Sequence, residues 1–104
     1  MADPKSFFLG ADIADYLVGH GMPPDDVQRG LIEETAKLGA VAGMQVSPEQ
    51  GAFLTVLTRL LDPRAAIEIG TFTGYSALCI ARGLGKGARL ICCDVSEEWT
   101  SIGR

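Results

Sequence analysis

Two short apolar runs separated by a glycine turn and a helix constrain this chain more than anything else in it. The first, Ala65-Ala66-Ile67-Glu68-Ile69, passes directly into Gly70-Thr71-Phe72-Thr73-Gly74. The second, Arg89-Leu90-Ile91-Cys92-Cys93, stops at Asp94. Both read as strands, and the near-continuous apolarity of the second is what a parallel strand covered on both faces requires. Between them residues 75–84 read as helix, with Leu78, Ala81 and Leu84 aligned and Gly83, Gly85 and Gly87 ending it. Strands joined through a helix can pair in parallel, so the segment is one βαβ unit of an α/β fold.

Upstream of about Gly43 the pattern is helical. Phe7, Phe8, Ile13, Leu17 and Val18 fall on a helical stripe over residues 7–18 that closes at Gly19 or Gly21, although Gly10 weakens it. Pro23-Pro24 opens a second helix with Asp25 and Asp26 in its first turn, Val27, Leu31 and Leu38 along one side, and Gly39 as C-cap. Gly43-Met44-Gln45-Val46 is expected to be extended. Ser47-Pro48-Glu49-Gln50 then combines an N-cap serine, a proline at the first helical position and a capping-box glutamine. Phe53, Leu54, Leu57, Leu60 and Leu61 follow at the spacing of a buried stripe, and Asp62-Pro63 ends the helix. The chain thus divides into a helical region, residues 1–43, and a region of alternating helix and strand, residues 44–104.

Composition narrows the function. At 104 residues the chain has room for one domain. Nine Lys and Arg against thirteen Asp and Glu give a net charge of -4, opposite to what binding a phosphate backbone needs, so no nucleic-acid partner is expected. Met1-Ala2-Asp3-Pro4-Lys5 lacks the basic and apolar regions of a signal peptide, and no apolar run approaches the ~18 residues of a membrane span. A soluble, cytoplasmic protein with no membrane partner is expected. Cys79, Cys92 and Cys93 form neither a disulfide framework nor a metal set and read as buried small hydrophobes. His20, between Gly19 and Gly21, reads as a residue of a helix C-terminus, so no hydrolytic triad can be assembled around it.

The turn itself suggests its ligand. Asp94 ends the second strand 24 residues after Gly70, where an acid can accept hydrogen bonds from both hydroxyls of a ribose. A dinucleotide fingerprint needs Gly-x-Gly-x-x-Gly, but Phe72 occupies the second glycine position, and its side chain would crowd a backbone meant to approach a pyrophosphate. Glu68 would repel a pyrophosphate and attract an ammonium or sulfonium. A cationic adenosyl cofactor therefore fits better than NAD. Other readings stay open at this point: a turn that needs glycine only for its backbone, with Glu68 a solvated residue at a strand end and Ser76 an ordinary polar residue; an NAD-binding module; or a non-catalytic helical interaction domain built on the stripe of residues 53–61.

Taken together, Met44-Gln45-Val46-Ser47-Pro48-Glu49-Gln50-Gly51, then Glu68-Ile69-Gly70-Thr71-Phe72-Thr73-Gly74-Tyr75-Ser76, then Asp94, resemble the S-adenosylmethionine-dependent O-methyltransferases of the catechol and caffeoyl-CoA type. The resemblance implies N-terminal helices followed by the first βαβ unit of a Rossmann-like class I methyltransferase fold, truncated, with residues 44–104 as the N-terminal half of the cofactor-binding domain. It implies that the backbone around Val46 contacts S-adenosylmethionine, that Glu68 and Ser76 hold its methionine portion, that the main chain at Gly70 and Thr71 passes close to it, and that Asp94 grips the ribose. Met44 could flank the methyl-transfer path or serve as a core residue. The acceptor implied is a small hydroxylated, catechol-like or phenolic molecule. Members of this branch are longer and take their divalent-metal ligands and catalytic lysine from later strands and loops. Magnesium is therefore expected only in a complete enzyme, no metal ligand is assigned here, and this chain alone is expected to be inactive. Such enzymes are commonly dimers, which implies a homodimer or larger self-assembly.

Overall fold

The computed structural model describes Lys5 and residues 8–104. Its elements in chain order are α1 (Ala11–His20), α2 (Asp26–Ala36), a 3-10 turn (Gly39–Met44), α3 (Pro48–Leu61), β1 (Ala65–Ile69), α4 (Tyr75–Gly83), β2 (Arg89–Cys93), α5 (Glu97–Thr100) and a closing 3-10 turn (Ser101–Gly103). The architecture is the expected α/β one: helices first, then one βαβ unit.

The N-terminal helices begin and end for readable reasons. α1 runs through Gly19 and closes at Gly21, whose N–H donates to the Leu17 carbonyl at 3.1 Å; Phe7 of the anticipated stripe lies outside the described residues. His20 is bonded locally, with Nδ1 2.9 Å from the Tyr16 carbonyl and its ring stacked on Tyr16. α2 begins one residue later than the dipole pattern suggests, because Asp25 is its N-cap rather than part of its first turn. The Asp25 carboxylate accepts from Gln28 N, and the Gln28 side chain accepts from Asp25 N, both at 3.0 Å, a complete capping box.

Two expectations fail in the next segment. α2 stops at Ala36, so Leu38 and Gly39 lie beyond it, and Gly43-Met44 are not extended but end the 3-10 turn. Gly39 has φ +76°, and the small residues after it let the chain tighten until Gln45 N donates to the Ala42 carbonyl at 3.1 Å. Gln45 itself is extended. α3 then starts at the expected place, with the Ser47 hydroxyl accepting from Gln50 N at 3.3 Å and Pro48 in the first turn, but the Gln50 side chain returns no bond to Ser47 N, so the expected capping box is half formed.

α3 and α4 bury faces other than those hydrophobic periodicity indicates. Phe53, Leu57, Leu60 and Leu61 are exposed, whereas Gly51, Thr55 and Thr58 are buried against Tyr75, Cys79 and Gly83 of α4. Leu78 and Ala81, aligned along α4, line an open depression. The cause is close approach. A Cβ on Gly51 would lie 2.7 Å from Cys79 Sγ, and one on Gly83 would lie 2.5 Å from the Thr55 carbonyl oxygen. Only small residues allow two helix surfaces to come this near, and Thr55 Oγ1 uses the proximity to donate to the Cys79 carbonyl at 2.8 Å.

β1 and β2 pair in parallel from Ala65 opposite Arg89 to Ile69 opposite Cys93. In this two-stranded sheet Ile67, Ile69 and Ile91 are exposed, and so are Cys92 and Cys93, which the sequence reading took as buried; of the three cysteines only Cys79 is enclosed. Among the described residues no helix is long and apolar enough to cross a membrane.

Candidate functional site

Because the strands end in register, the residues that follow them start side by side. Gly70 N and Thr71 N both reach back to the Cys93 carbonyl, at 2.8 and 3.3 Å, so the glycine turn is laid against the residue before Asp94. Gly70 (φ +87°) and Gly74 (φ +99°) take backbone conformations that L side chains rarely adopt. No atom lies within 4 Å of where a Gly70 Cβ would sit, so the turn opens onto free space there.

Phe72 also has positive φ, +54°, an uncommon state for a bulky residue. Two contacts hold it. Its N–H donates to Asp94 Oδ2 at 2.7 Å, and its ring packs edge-on against Trp99 with centroids 5.2 Å apart. This changes the reason for disfavouring a pyrophosphate. The Phe72 side chain is buried rather than standing in the mouth of the turn, and the N–H that a phosphate would need is already given to a carboxylate.

Four of the six residues singled out by sequence, Val46, Gly70, Thr71 and Ser76, line one slot of about 50 Å³, and a fifth, Glu68, is bonded to it. Val46, with Met44 and Gln45, forms one wall; Gly70, Thr71, Phe72, Thr73, Tyr75 and Ser76 form the other. Glu68 joins it through the Ser76 hydroxyl, which donates to Glu68 Oε1. The second carboxylate oxygen, Oε2, is buried with no hydrogen-bond partner, an unusual condition for a charged group and one that a donor or cation would relieve. The slot has room for a small charged head rather than a whole nucleoside, since one water occupies about 30 Å³ of liquid volume.

Asp94, the sixth, does not line the slot. It lines a larger open depression of about 460 Å³, to which Thr71 also contributes. Backbone N–H groups of Phe72 and then Ser96 hold its carboxyl below the ordinary range for an aspartate. Each oxygen carries one of these bonds and keeps a further lone pair for a ligand. Tyr75, beside the slot, has its hydroxyl pushed up to about 12, chiefly by burial, and stays protonated at neutral pH. Among the described residues no three His, Cys, Asp or Glu side chains cluster as metal ligands would. The arrangement offers a carboxylate oxygen for a cation and the free lone pairs of Asp94 for a diol.

Sequence reasoning missed the clamp from Asp94 to the turn, the Phe72–Trp99 contact, and a buried network behind the slot. There Thr35 Oγ1 of α2 lies 2.7 Å from Thr73 Oγ1 and accepts from Gln45 Nε2 at 3.2 Å. One signal was present: Thr35 sits four residues after Leu31, a polar residue on an otherwise apolar side of α2.

Residues 23–104 match the family model described as O-methyltransferase. Probable caffeoyl-CoA O-methyltransferase 2 of Dictyostelium discoideum is 35% identical over 88 residues, covering 85% of this chain and 38% of that protein. Catechol O-methyltransferase of Niastella koreensis is 34% identical over 80 residues, covering 77% and 36%. Among solved structures, the Bacillus cereus O-methyltransferase in complex with SAH superposes with a TM-score of 0.72 at 34% identity, covering 89% of this chain and 42% of that one. The O-methyltransferase TomG of Streptomyces achromogenes, solved with SAM, gives 0.81 at 26% identity, covering 88% and 41%. This chain therefore spans about two fifths of the length of the relatives it matches. With most of its length inside the family model, and with a relative 35% identical over 85% of it, the chain belongs to the O-methyltransferase family.

Proposed function

We propose that this chain forms the part of an S-adenosylmethionine site that holds the methionine end and the ribose, in an enzyme that methylates a hydroxyl of a small catechol-like or phenolic acceptor. The buried, unpartnered Glu68 Oε2 beside the slot carries the reading, since it is the fixed anion that an amino-acid ammonium would complete. The residues present fit the cofactor. Ser76 orients Glu68 through its hydroxyl, Gly70 and Thr71 let the main chain come close, and the backbone at Val46 closes the opposite wall. Asp94 accepts the ribose hydroxyls with the lone pairs it does not spend on Phe72 and Ser96. When bound, S-adenosylmethionine supplies an electrophilic methyl group on its sulfonium.

The described residues do not compose a magnesium site, so no step through a metal is derived for this chain and no catalytic residue is assigned in it. Self-association and a cytoplasmic location belong to the same reading. The exposed isoleucines of both strands support the first, as apolar surface that a second copy could cover.

Calorimetry with S-adenosylhomocysteine and NAD tests the cofactor assignment. S-adenosylhomocysteine should bind the tighter of the two, and Glu68→Gln should weaken it by about tenfold or more. Tighter binding of NAD would overturn the assignment. The 104-residue chain alone should transfer no methyl group to catechols, with or without magnesium; metal-dependent turnover by it would show the assigned roles to be wrong.

A further inference from the structure

Thr35 makes no side-chain hydrogen bond to the groups assigned to the cofactor, yet it is fully buried and stands where the two walls of the slot meet a third element. α2 is fastened to α4 at its N-terminal end, where Asp25 pairs with Arg82 and Gln28 Nε2 donates to Cys79 Sγ at 3.4 Å. The two helices run antiparallel, so ten residues of α2, about 15 Å at helical rise, carry Thr35 from the end of α4 back to Thr73, just before its start.

The walls themselves are otherwise tied elsewhere. Gln45 N bonds within its own turn to Ala42, whereas Gly70, Thr71 and Phe72 give their N–H groups to Cys93 and Asp94 at the end of β2. Among the described residues, the hydrogen bonds joining one wall to the other pass through Thr35: Gln45 Nε2 to Thr35 Oγ1 at 3.2 Å, and Thr35 Oγ1 to Thr73 Oγ1 at 2.7 Å.

We propose that Thr35 is a positioning residue of the slot, its hydroxyl pinning Gln45 to Thr73 so that α2 sets the spacing between the Met44–Val46 wall and the glycine turn. A buried polar network of this kind is satisfied in one arrangement, because separating the walls strands hydroxyl and amide groups away from water. A slot of only about 50 Å³ loses its fit with a small displacement of either wall. The functional consequence rests on the cofactor reading of the slot; the pin itself does not.

Two measurements on the full chain separate these. Thr35→Val keeps the shape and removes the hydroxyl. Thr58→Val is the matched control, a buried threonine of α3 whose hydroxyl donates to the Leu54 carbonyl at 2.7 Å within its own helix. Amide hydrogen exchange at Gln45, Phe72 and Gly74 should accelerate by about tenfold in Thr35→Val and stay unchanged in Thr58→Val. Affinity for S-adenosylhomocysteine should fall by about tenfold in Thr35→Val only, with Thr35→Ser restoring both readouts. Unchanged exchange in Thr35→Val overturns the pin, as does equal acceleration in Thr58→Val. Faster exchange with undiminished affinity overturns the positioning role. If the parent chain binds no S-adenosylhomocysteine, the cofactor reading falls, and exchange at the two walls still decides whether Thr35 joins them. Should Thr35→Val not fold, Gln45→Met cuts the same link from the half-buried side and is read by the same two measurements.

Discussion

The two faces of α3 differ in a way opposite to their hydrophobicity. Its inner face is Gly51, Thr55 and Thr58, closed against Tyr75, Cys79 and Gly83; its outer face carries Phe53, Leu57, Leu60 and Leu61, with Leu60 78% and Leu61 69% exposed. Proximity, not apolar bulk, selects the buried face. These two helices approach until backbone and small side chains touch, and leucines cannot be placed there. The outer leucines are left exposed.

The sharpest way to break the comparison is Gly83→Ala. On an ordinary helix this change stabilises by about 1 kcal/mol through propensity. Here the new Cβ would lie 2.5 Å from the Thr55 carbonyl oxygen and 2.7 Å from Thr58 Cβ, so overpacking opposes it. A net loss of about 1–3 kcal/mol is expected, seen as a fall in Tm of roughly 5–20 °C. A rise in Tm would mean that the helices stand further apart than described.

Thr55→Val is milder. It keeps the volume and deletes the 2.8 Å bond to the Cys79 carbonyl, and should cost about 1 kcal/mol in denaturant unfolding with the slope unchanged. If Thr55→Val is neutral while Gly83→Ala is not, the seam is held by fit alone.

The same contrast explains what was legible in the sequence. Both strands, the glycine turn, the Ser47-Pro48 start and the terminal Asp94 follow from local chemistry, and local chemistry is what a sequence displays directly. Gly70, Thr71 and Ser76 line one slot, with Glu68 bonded to Ser76, because the β1–α4 turn places them together once the βαβ unit is recognised; Val46 reaches the same slot from the segment before α3. The buried face of α3 was misread because periodicity ranks residues by hydrophobicity, and neither glycine nor threonine ranks high. The second job of Asp94, clamping the Phe72 N–H, was invisible because it depends on a left-handed φ at a residue that seldom adopts one. Thr35 was passed over for a related reason: its partners lie 10 and 38 residues away, and no local pattern joins them.

The polar ends of the molecule should respond to acid, and the seam should not. Asp94 is held low by the Phe72 and Ser96 amides, and Asp25 by the Gln28 amide and Arg82. A carboxyl with a depressed folded value contributes stability that is complete above its unfolded value, about 3.9, and is lost as pH falls through the folded one. Tm should therefore be insensitive to these two groups between pH 5 and 7 on the order of a degree, and should drop below about pH 4. Asp94→Asn should flatten part of that drop. A decline beginning near pH 6 would point to other groups and remove both aspartates from the explanation.

The smallest expected effect is on the outer face of α3. Leu60 and Leu61 lie on an exposed surface, and replacing a side chain that is mostly in water removes little burial from the folded state. Leu60→Ser and Leu61→Ser should each change stability by less than about 0.5 kcal/mol when measured at low protein concentration. Concentration makes the measurement informative. If a second copy covers this face, the parent chain gains stability as concentration rises, because association favours the folded state by mass action, and the serine variants gain less. If parent and variants show the same dependence, the outer face is not where copies meet, and the exposed isoleucines of the strands become the place to look. A loss of several kcal/mol at low concentration would have a different meaning: these leucines would be core residues, and the helix would pack by hydrophobic periodicity after all.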